Sequence, residues 1–257
     1  MSPPGAQVAV RGPAGDARAL GLVENETACL YFPGIARFVF RSPPEEVHAD
    51  VAPGAPEELV LDLFRTTVRP LVLQLVGYEA LHASSVAWGR RVVAFCGSSG
   101  VGKSTLAFGM SRRGHALWGD DVLIFNAASP SVPHCFQIPY SVRLRASSRA
   151  FFNADGELFD GEVAEADARE LAAIVILERD AHQHSIKRLE PVAAFPALLP
   201  HAFRFTLDDT TRKARTIEHY LNVAARVPVL FARLAGGFDE FPRFLDELGT
   251  TLGKLIA

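Results

Sequence analysis

Two strand-like segments, residues 80–87 and 91–96, are separated by only three residues within "EALHASSVAWGRRVVAFCG". A connection between parallel strands needs about a dozen residues, so residues 88–90 can only close an antiparallel hairpin. The second strand leads directly into a glycine-rich loop, and in the common mononucleotide-binding folds such a strand is reached by parallel crossovers. The sequence therefore predicts an α/β fold in which this strand belongs to a largely antiparallel or mixed sheet.

The glycine-rich loop has the spacing of a phosphate-binding loop, because Gly97, Gly102, Lys103 and Ser104 occupy every fixed position of the pattern. Glycines let backbone N–H groups turn toward phosphate oxygens, and a helix predicted over 104–113 presents its positive end to them. We expect Lys103 to reach the β- and γ-phosphates and the Ser104 hydroxyl to bind Mg²⁺. A glycine-rich turn that fits by chance is the alternative, and the flanking strand and helix disfavour it. The residues expected to contact the nucleotide are Gly97, Ser98, Ser99, Gly100, Val101, Gly102, Lys103, Ser104 and Thr105.

Two adjacent acids, Asp120 and Asp121, lie in "LWGDDVLIF" (117–125), which predicts a strand. Alone, such a pair is typical of a solvated turn, but phosphoryl transfer to a hydroxyl needs one carboxylate for the metal and another to orient or deprotonate the nucleophile. Neighbouring residues of a strand point to opposite faces, which suggests a division of labour. His82 lies on the hairpin partner of the loop strand, where it is either catalytic or a hydrogen-bonded strand histidine.

The composition indicates a soluble globular protein: 257 residues, 49% of them hydrophobic and 21% charged, with a net charge of −3. This charge gives no reason to expect a nucleic acid or an anionic membrane as partner. Three cysteines without paired spacing argue against disulfides and a zinc site and fit a reducing cytoplasm. We find no signal-peptide core and no apolar run of about 18 residues, and we expect a cytoplasmic protein without a membrane anchor.

The pattern along the chain predicts three parts. Residues 1–18 are rich in Pro, Gly and Ala and are predicted to be disordered, residues 19–78 form an N-terminal strand and helix subdomain, and residues 79–257 form the phosphate-loop domain. Further expectations are two strands around a turn in 27–41, a helix over 55–80 that Pro70 kinks or divides, a mobile loop over 139–170, strands at 171–178 and 226–234, and a final helix over 239–257 capped by Asp239.

The segments "LHASSV", "GSSGVGKST" and "RGHALWGDDV", in this order and spacing, resemble the catalytic domain of HPr kinase/phosphorylase and its HPr-kinase-related bacterial relatives. The resemblance implies a phosphate loop on a largely antiparallel sheet related to the ATP-dependent phosphoenolpyruvate carboxykinases, and transfer to a serine of a small carrier protein with ATP and Mg²⁺. It implies catalytic roles for His82, Lys103 and Asp121, with Asp121 as the acid–base residue. It also implies metal binding by Ser104, with Asp120 as the adjacent acid.

Two departures from that family stand out. The segment "PYSVRLRASS" (139–148) lacks the metal-binding glutamate of the bifunctional members, so magnesium would rely on Ser104, an aspartate and phosphate. After Pro228 the sequence reads "VLFARLAGG", without the glycine-arginine-asparagine stretch associated with the reverse reaction. These departures argue against phosphorolysis and against HPr itself as the acceptor.

We therefore expect an ATP- and Mg²⁺-dependent kinase whose acceptor is a hydroxyl, foremost a serine of a peptide or small protein. A small-molecule alcohol as acceptor, or a non-catalytic nucleotide-binding regulator, are the alternatives. Retention of the lysine, the serine, both aspartates and His82 argues against the regulator. The sequence leaves the oligomeric state open, a homo-oligomer included. Lesser candidates are Arg143, Arg145 and Arg149 as a phosphate clamp, Arg204, Arg212, Lys213 and Arg215 as a second basic group, and Glu178 as a Walker-B-like acid.

Overall fold

The computed structural model describes residues 7–11, 17–24, 27–41, 46–127, 132–154, 159–161, 168–180, 183–203 and 210–257. The chain divides into two compact units, the first being Met1–Tyr78 with Phe203–Arg215 and the second Glu79–Ala202 with Thr216–Ala257. Within the described part of the chain, no helix has both the length and the apolar character to cross a membrane.

Residues 203–215 belong to the first unit, whereas the sequence prediction placed them in the phosphate-loop domain. The Gln74 side chain explains this, because its amide donates to the Phe203 carbonyl at 3.0 Å and its oxygen accepts from Arg212 at 2.7 Å. Such pairing between distant segments leaves no signal in local composition.

The first unit contains a five-stranded sheet in which each strand pairs antiparallel with the next. Its strands are β1 (Gln7–Arg11), β2 (Ala17–Glu24), β3 (Thr27–Phe32), β4 (Ala36–Arg41) and β5 (Val47–Val51). The predicted strand pair in 27–41 is confirmed, since β3 and β4 pair around a turn in which Gly34 adopts φ 73°. Residues 7–11 and 17–18 lie in strands, which differs from the predicted disorder, because β1 pairs antiparallel with β2 from Gln7 with Gly21 to Arg11 with Ala17. Residues 1–6 and 12–16 lie outside the described residues.

A divided helical segment covers one face of this sheet. It comprises α1 (Glu57–Leu63), a π-helical turn (Phe64–Val68) and α2 (Arg69–Leu75). The prediction that Pro70 kinks or divides the helix agrees with the π-helical turn that directly precedes α2, because Pro70 lies in the first turn of α2 and has no N–H to donate to the preceding turn. Phe38, Phe40, Val60 and Leu71 pack together in the core of this unit.

The second unit is built on a nine-stranded mixed sheet. Its strands are β6 (Glu79–Leu81), β7 (Ala83–Trp88), β8 (Arg91–Gly97), β9 (Leu117–Gly119), β10 (Leu123–Asn126), β11 (His134–Phe136), β14 (Ala168–Arg179), β15 (Ser185–Leu189) and β16 (Val229–Leu234), and a separate two-stranded sheet joins β12 (Tyr140–Val142) to β13 (Phe159–Gly161). The main order is β6-β10-β11-β14-β8-β7-β9, and β16 pairs with both β14 and β15. The predicted hairpin is confirmed for β7 and β8, which pair antiparallel from Ala83 with Cys96 to Trp88 with Arg91. The predicted first strand over 80–87 is instead two strands, because β6 ends at Leu81 and pairs with β10 while β7 begins at Ala83, so His82 lies between them. Strand β14 pairs parallel with β8 and with β16, so the sheet is mixed.

Helices bury both faces of this sheet. The helices of the second unit are α3 (Lys103–Ser111), α4 (Ala146–Phe152), α5 (Pro191–Leu198), α6 (Thr210–Arg226, whose first residues belong to the first unit) and α7 (Phe241–Ile256), with a 3₁₀ turn at Leu199–His201. Alternate residues of β8 face opposite sides, so that Ala94 and Cys96 pack with residues of α5 and α6 while Val93 and Phe95 pack with residues of α3 and α7. The strand over 171–178 and the strand within 226–234 are confirmed as parts of β14 and β16.

Three local predictions need correction. The predicted strand over 117–125 is two strands, β9 and β10, because Asp121 has a positive φ of 63° that interrupts the extended backbone. The predicted mobile loop over 139–170 contains β12, α4 and β13 in its described parts and the start of β14, since aromatic side chains there pack into the fold. Asp239 does not cap α7, which begins at Phe241 with Glu240 at the cap position, because Pro242 sets the first turn.

Candidate active site

The glycine-rich segment that the sequence predicts to bind phosphate forms the connection between β8, which ends at Gly97, and α3, which begins at Lys103. Gly97, Gly100 and Gly102 adopt φ values of 150°, 82° and 115°, which other residues rarely adopt. A Cβ on Gly97 would lie 2.6 Å from the Leu177 carbonyl oxygen and 2.8 Å from Val101 Cγ1. The loop therefore requires glycine at its first position for space as well as for backbone conformation.

Lys103 curls back onto this loop. Its ammonium group donates to the carbonyl of Gly97 at 3.1 Å and to that of Ser98 at 3.4 Å, and the residue is 7% exposed. Burial lowers the pKa of Lys103, and the nearby carboxylates of Asp121 and Asp120 act in the opposite direction. An ammonium group has three N–H donors, so a phosphate oxygen can accept the third.

Asp120 lies beside the start of α3. Its Oδ1 accepts hydrogen bonds from Ser104 Oγ at 3.0 Å and from Ser84 Oγ at 2.5 Å, which joins β7, α3 and the β9–β10 connection. Burial and then the neighbouring Asp121 charge raise the pKa of Asp120 to about 6, although both serine hydrogen bonds oppose this. The structure thus brings together Ser104 and Asp120, the two residues predicted to bind the metal.

Asp121 occupies the centre of a tight turn between β9 and β10. The Val122 N–H donates to the Asp120 carbonyl at 2.8 Å, and the φ of 63° at Asp121 is that of the classic γ-turn, the rarer form of this turn. His82 Nδ1 donates to the Asp121 carbonyl at 2.9 Å. This contact holds the main chain of Asp121, and it leaves Nε2 of a neutral His82 as an acceptor.

Two histidines lie near the lysine. Burial and then the Lys103 charge lower the pKa of His82, whereas the hydrogen bond to Asp121 and the Asp121 charge act in the opposite direction. The lowered pKa favours the neutral ring. Sequence reasoning missed His201, whose carbonyl accepts from the His82 N–H at 2.8 Å. Burial and then the charges of Lys103 and His82 lower the pKa of His201. No local pattern identifies His201, because a long-range bridge between Leu81 and Ala202 brings it beside β6.

Helix α4 packs over the glycine-rich loop and the start of α3. Ser148, which is buried, lies with its Oγ 2.9 Å from Thr105 Oγ1, and the Phe152 ring contacts Phe108 of α3 edge-to-face with centroids 4.9 Å apart. A Cβ on Gly100 would lie 2.6 Å from Arg145 Nη2, so the Arg145 guanidinium lies directly over the loop. Of the three arginines predicted as a clamp, Arg145 is therefore at the loop, and the exposed Arg143 and Arg149 lie on the same segment.

A second arginine at the loop, Arg179, was also missed. Its Nε donates to the Val101 carbonyl at 3.2 Å and its Nη1 to the Gly236 carbonyl at 3.3 Å. The fold places it there, because β14 runs parallel to β8 with Leu177 opposite Gly97, and the carboxyl ends of parallel strands meet at one edge of the sheet.

The structure does not bring the remaining sequence-predicted candidates to the loop. Glu178 is an exposed partner of Arg233 at 3.6 Å, and Arg212 bonds Gln74 in the first unit. Lys213 and Arg215 are exposed on α6, and Arg204 lies outside the described residues.

The chemistry of the oxygen groups fits magnesium. Among the residues that the structure describes, no group of three or more His, Cys, Asp or Glu side chains could hold a metal by itself. Mg²⁺ is usually bound through one or two carboxylates together with substrate phosphates, and the Ser104 hydroxyl and the Asp120 carboxylate, 3.0 Å apart, are oxygen groups of the kind that could hold it.

Comparison with known proteins gives little beyond this geometry. No protein-family model matches the sequence, and no curated protein matches it. Among solved structures, the Hpr(Ser) kinase/phosphatase from Coxiella burnetii is similar at 12% identity, covering 68% of this chain and 97% of that chain with a TM-score of 0.36. A likeness at this level supports no inference about activity, so the functional conclusion depends on the residues of this chain.

Proposed function

We propose that the protein is an ATP- and Mg²⁺-dependent kinase that transfers the γ-phosphoryl group to a hydroxyl, specifically a serine of a peptide or small protein. One observation carries the proposal: Ser104 and Asp120 share a hydrogen bond of 3.0 Å next to the buried Lys103, and Asp121 follows in a turn held by His82. Phosphate binding alone needs the loop and the lysine. The paired aspartates at the same place are what transfer to a hydroxyl requires in addition.

Phosphate binding is assigned to the loop and two side chains. The backbone N–H groups of 97–102 and the positive end of α3 attract phosphate oxygens. Lys103 contacts the β- and γ-phosphates, and Arg145 over Gly100 adds a second positive charge. The glycine positions support this assignment, because a Cβ at Gly97 or Gly100 would collide with groups that line the loop.

Ser104 and Asp120 would hold Mg²⁺, whose role is to neutralise phosphate charge and orient the transferred group. Ser84 donates to the same carboxylate oxygen and so orients Asp120 toward Ser104. Burial works against the charged carboxylate in the protein without metal, and a bound cation would favour it.

Asp121 is the proposed proton acceptor. The acceptor oxygen forms a bond to the γ-phosphorus, the bond from that phosphorus to the β–γ bridging oxygen breaks, the hydroxyl proton moves to the Asp121 carboxylate, and ADP leaves. His82 acts as a positioning residue through the Asp121 carbonyl. The serine acceptor is supported by the motif resemblance, and a small-molecule alcohol would use the same residues.

A binding and transfer experiment tests the proposal. Wild-type protein and Lys103→Ala are titrated with Mg·ATP by calorimetry. Each is then incubated with γ-labelled ATP and, in separate reactions, a library of serine-containing peptides and a panel of small-molecule alcohols. We expect tight binding and labelled phosphoserine with the wild type, and loss of both with Lys103→Ala. Binding without transfer to any peptide or alcohol would favour the non-catalytic regulator, and no binding would exclude the phosphate-loop interpretation.

A further inference from the structure

We propose that Arg179 is a positioning residue that fixes one peptide group of the phosphate loop with its N–H directed at the nucleotide. The inference rests on the proposed nucleotide binding at this loop and assigns a residue that the motif does not contain.

Arg179 is the last residue of β14, and its guanidinium joins two turns of backbone. The Nε donates to the Val101 carbonyl at 3.2 Å, and Nη1 donates to the Gly236 carbonyl at 3.3 Å. A Cβ on Gly102 would lie 3.5 Å from Nη2, so the guanidinium also lies alongside Gly102. The planar fork of arginine suits two carbonyls at once, whereas a lysine ammonium lacks this geometry.

The contact with Val101 determines the direction of an N–H group. The Val101 carbonyl and the Gly102 N–H belong to the same trans peptide, and in such a peptide the two point in opposite directions. Holding the carbonyl on the Arg179 side therefore directs the Gly102 N–H to the other side. A donor on the carbonyl also polarises the peptide and strengthens its N–H as a donor to an anion.

Such a constraint matters because this peptide is next to glycine. Gly102 has φ 115°, and a glycine reaches positive and negative φ with similar ease, so this peptide can rotate at low cost. In the rotated state a carbonyl would face the phosphates. Arg179 disfavours that state by binding the carbonyl in the observed orientation.

The second hydrogen bond of Arg179, to the Gly236 carbonyl, connects the loop to the 236–238 turn, which packs against the covering helix α4. Gly236 precedes Phe238, whose ring stacks on Phe151 of α4 with centroids 4.6 Å apart. Helix α4 in turn contacts the loop side through Ser148 and Thr105. Arg179 is thus one link in a closed set of contacts from the loop through the 236–238 turn and α4 back to the loop.

The test compares Arg179→Ala and Arg179→Lys with Arg233→Ala, an exposed arginine on the neighbouring β16 that pairs with Glu178 and Asp180. Calorimetry gives the Kd for Mg·ATP, and steady-state ATP turnover gives KM and kcat. We expect Arg179→Ala to raise Kd and KM roughly 5- to 30-fold with kcat changed less than about 3-fold, as for loss of a charged hydrogen bond. Arg179→Lys should recover part of the affinity, and Arg233→Ala should match the wild type.

An unchanged Kd in Arg179→Ala, with the wild type binding Mg·ATP, would overturn this inference and leave the proposed function intact. A variant in which Kd rises, kcat falls and the thermal midpoint without ligand falls at the same time would also overturn it, because such a general loss indicates a structural role. If Arg179→Ala does not fold, Arg179→Lys decides: a wild-type Kd refutes the inference, and a raised Kd with a wild-type midpoint supports it. Failure of the wild type itself to bind Mg·ATP would remove the proposed function and this inference together.

Discussion

The phosphate loop and helix α4 contact each other, but different interactions hold them. The loop is continuous with β8, the central strand between β7 and β14, and its ends are fixed by strand pairing and by the start of α3. Helix α4 has no strand ladder and is held by side chains, chiefly Phe151 and Phe152 against Phe238, Phe241 and Phe108. The comparison suggests that the groups of the proposed chemistry are fixed by backbone structure, while the cover can be loosened separately by changing side chains.

Gly97→Ala should have the largest effect on stability, because the new Cβ would meet the Leu177 carbonyl of β14 at 2.6 Å. Backbone of a central strand cannot move away at low cost, so we expect a loss of about 2–5 kcal/mol in the free energy of unfolding. Gly100→Ala is the matched variant, since its Cβ would meet only the movable end of Arg145, and about 1 kcal/mol of strain is expected there. Urea unfolding measures the free energy of unfolding of both variants. Equal losses would contradict the claim that Gly97 faces fixed backbone while Gly100 faces a movable side chain.

Asp120→Asn should stabilise the protein without nucleotide at high pH. The pKa of Asp120 is about 6 in the folded protein against an ordinary 3.8, so its contribution to stability is present at low pH and is lost as pH rises through this range. Asparagine does not titrate, so the variant should gain about 2–3 kcal/mol over the wild type at pH 8 and nothing near pH 4. Urea unfolding at both pH values in the absence of Mg²⁺ tests this, with the exposed Asp239→Asn as control. A gain that is the same at both pH values would refute it.

Phe151→Ala should loosen helix α4, which covers the loop, and leave the loop itself in place. The ring stacks on Phe238 and contacts Phe152 and Phe241, and its loss should cost about 2 kcal/mol in the free energy of unfolding. Because Ser104, Asp120 and Asp121 are not on α4, we expect the Kd for Mg·ATP to rise only a few-fold, through weaker placement of Arg145. Trypsin cleavage within 143–149 should become faster. Abolished binding in a folded variant would show that the cover is part of the phosphate site rather than an addition to it.

The contrast between a loop held by neighbouring backbone and a helix held by distant side chains also explains how much of the structure the sequence could predict. The β7–β8 hairpin, the loop and α3 follow from local spacing, and Ser104 and Asp120 could be paired from their motifs. Aspartate tolerates a positive φ better than most residues, so the sequence allows this conformation at either acid, and nothing local indicates that Asp121 adopts it and contacts His82. Helix α4 depends on aromatic partners far along the chain, and its polar sequence favoured a loop.

Residues that act through distant contacts were the hardest to predict. His201 reaches His82 through a bridge between strand β6 and a distant turn, and no nearby motif indicates it. Arg179 could have been found by placing the ends of β8 and β14 at one edge, but the parallel register between them is a property of the fold.

The central claim, that the aspartates serve transfer and not binding alone, is tested most directly by Asp121→Asn. Single-turnover transfer from γ-labelled ATP to an acceptor peptide, or to water where no acceptor is known, is measured beside the Kd for Mg·ATP. Asparagine keeps the shape of the side chain but cannot take the proton, so transfer should fall by about 10²- to 10⁴-fold while Kd changes less than about 3-fold. Transfer at the wild-type rate in Asp121→Asn would contradict the account.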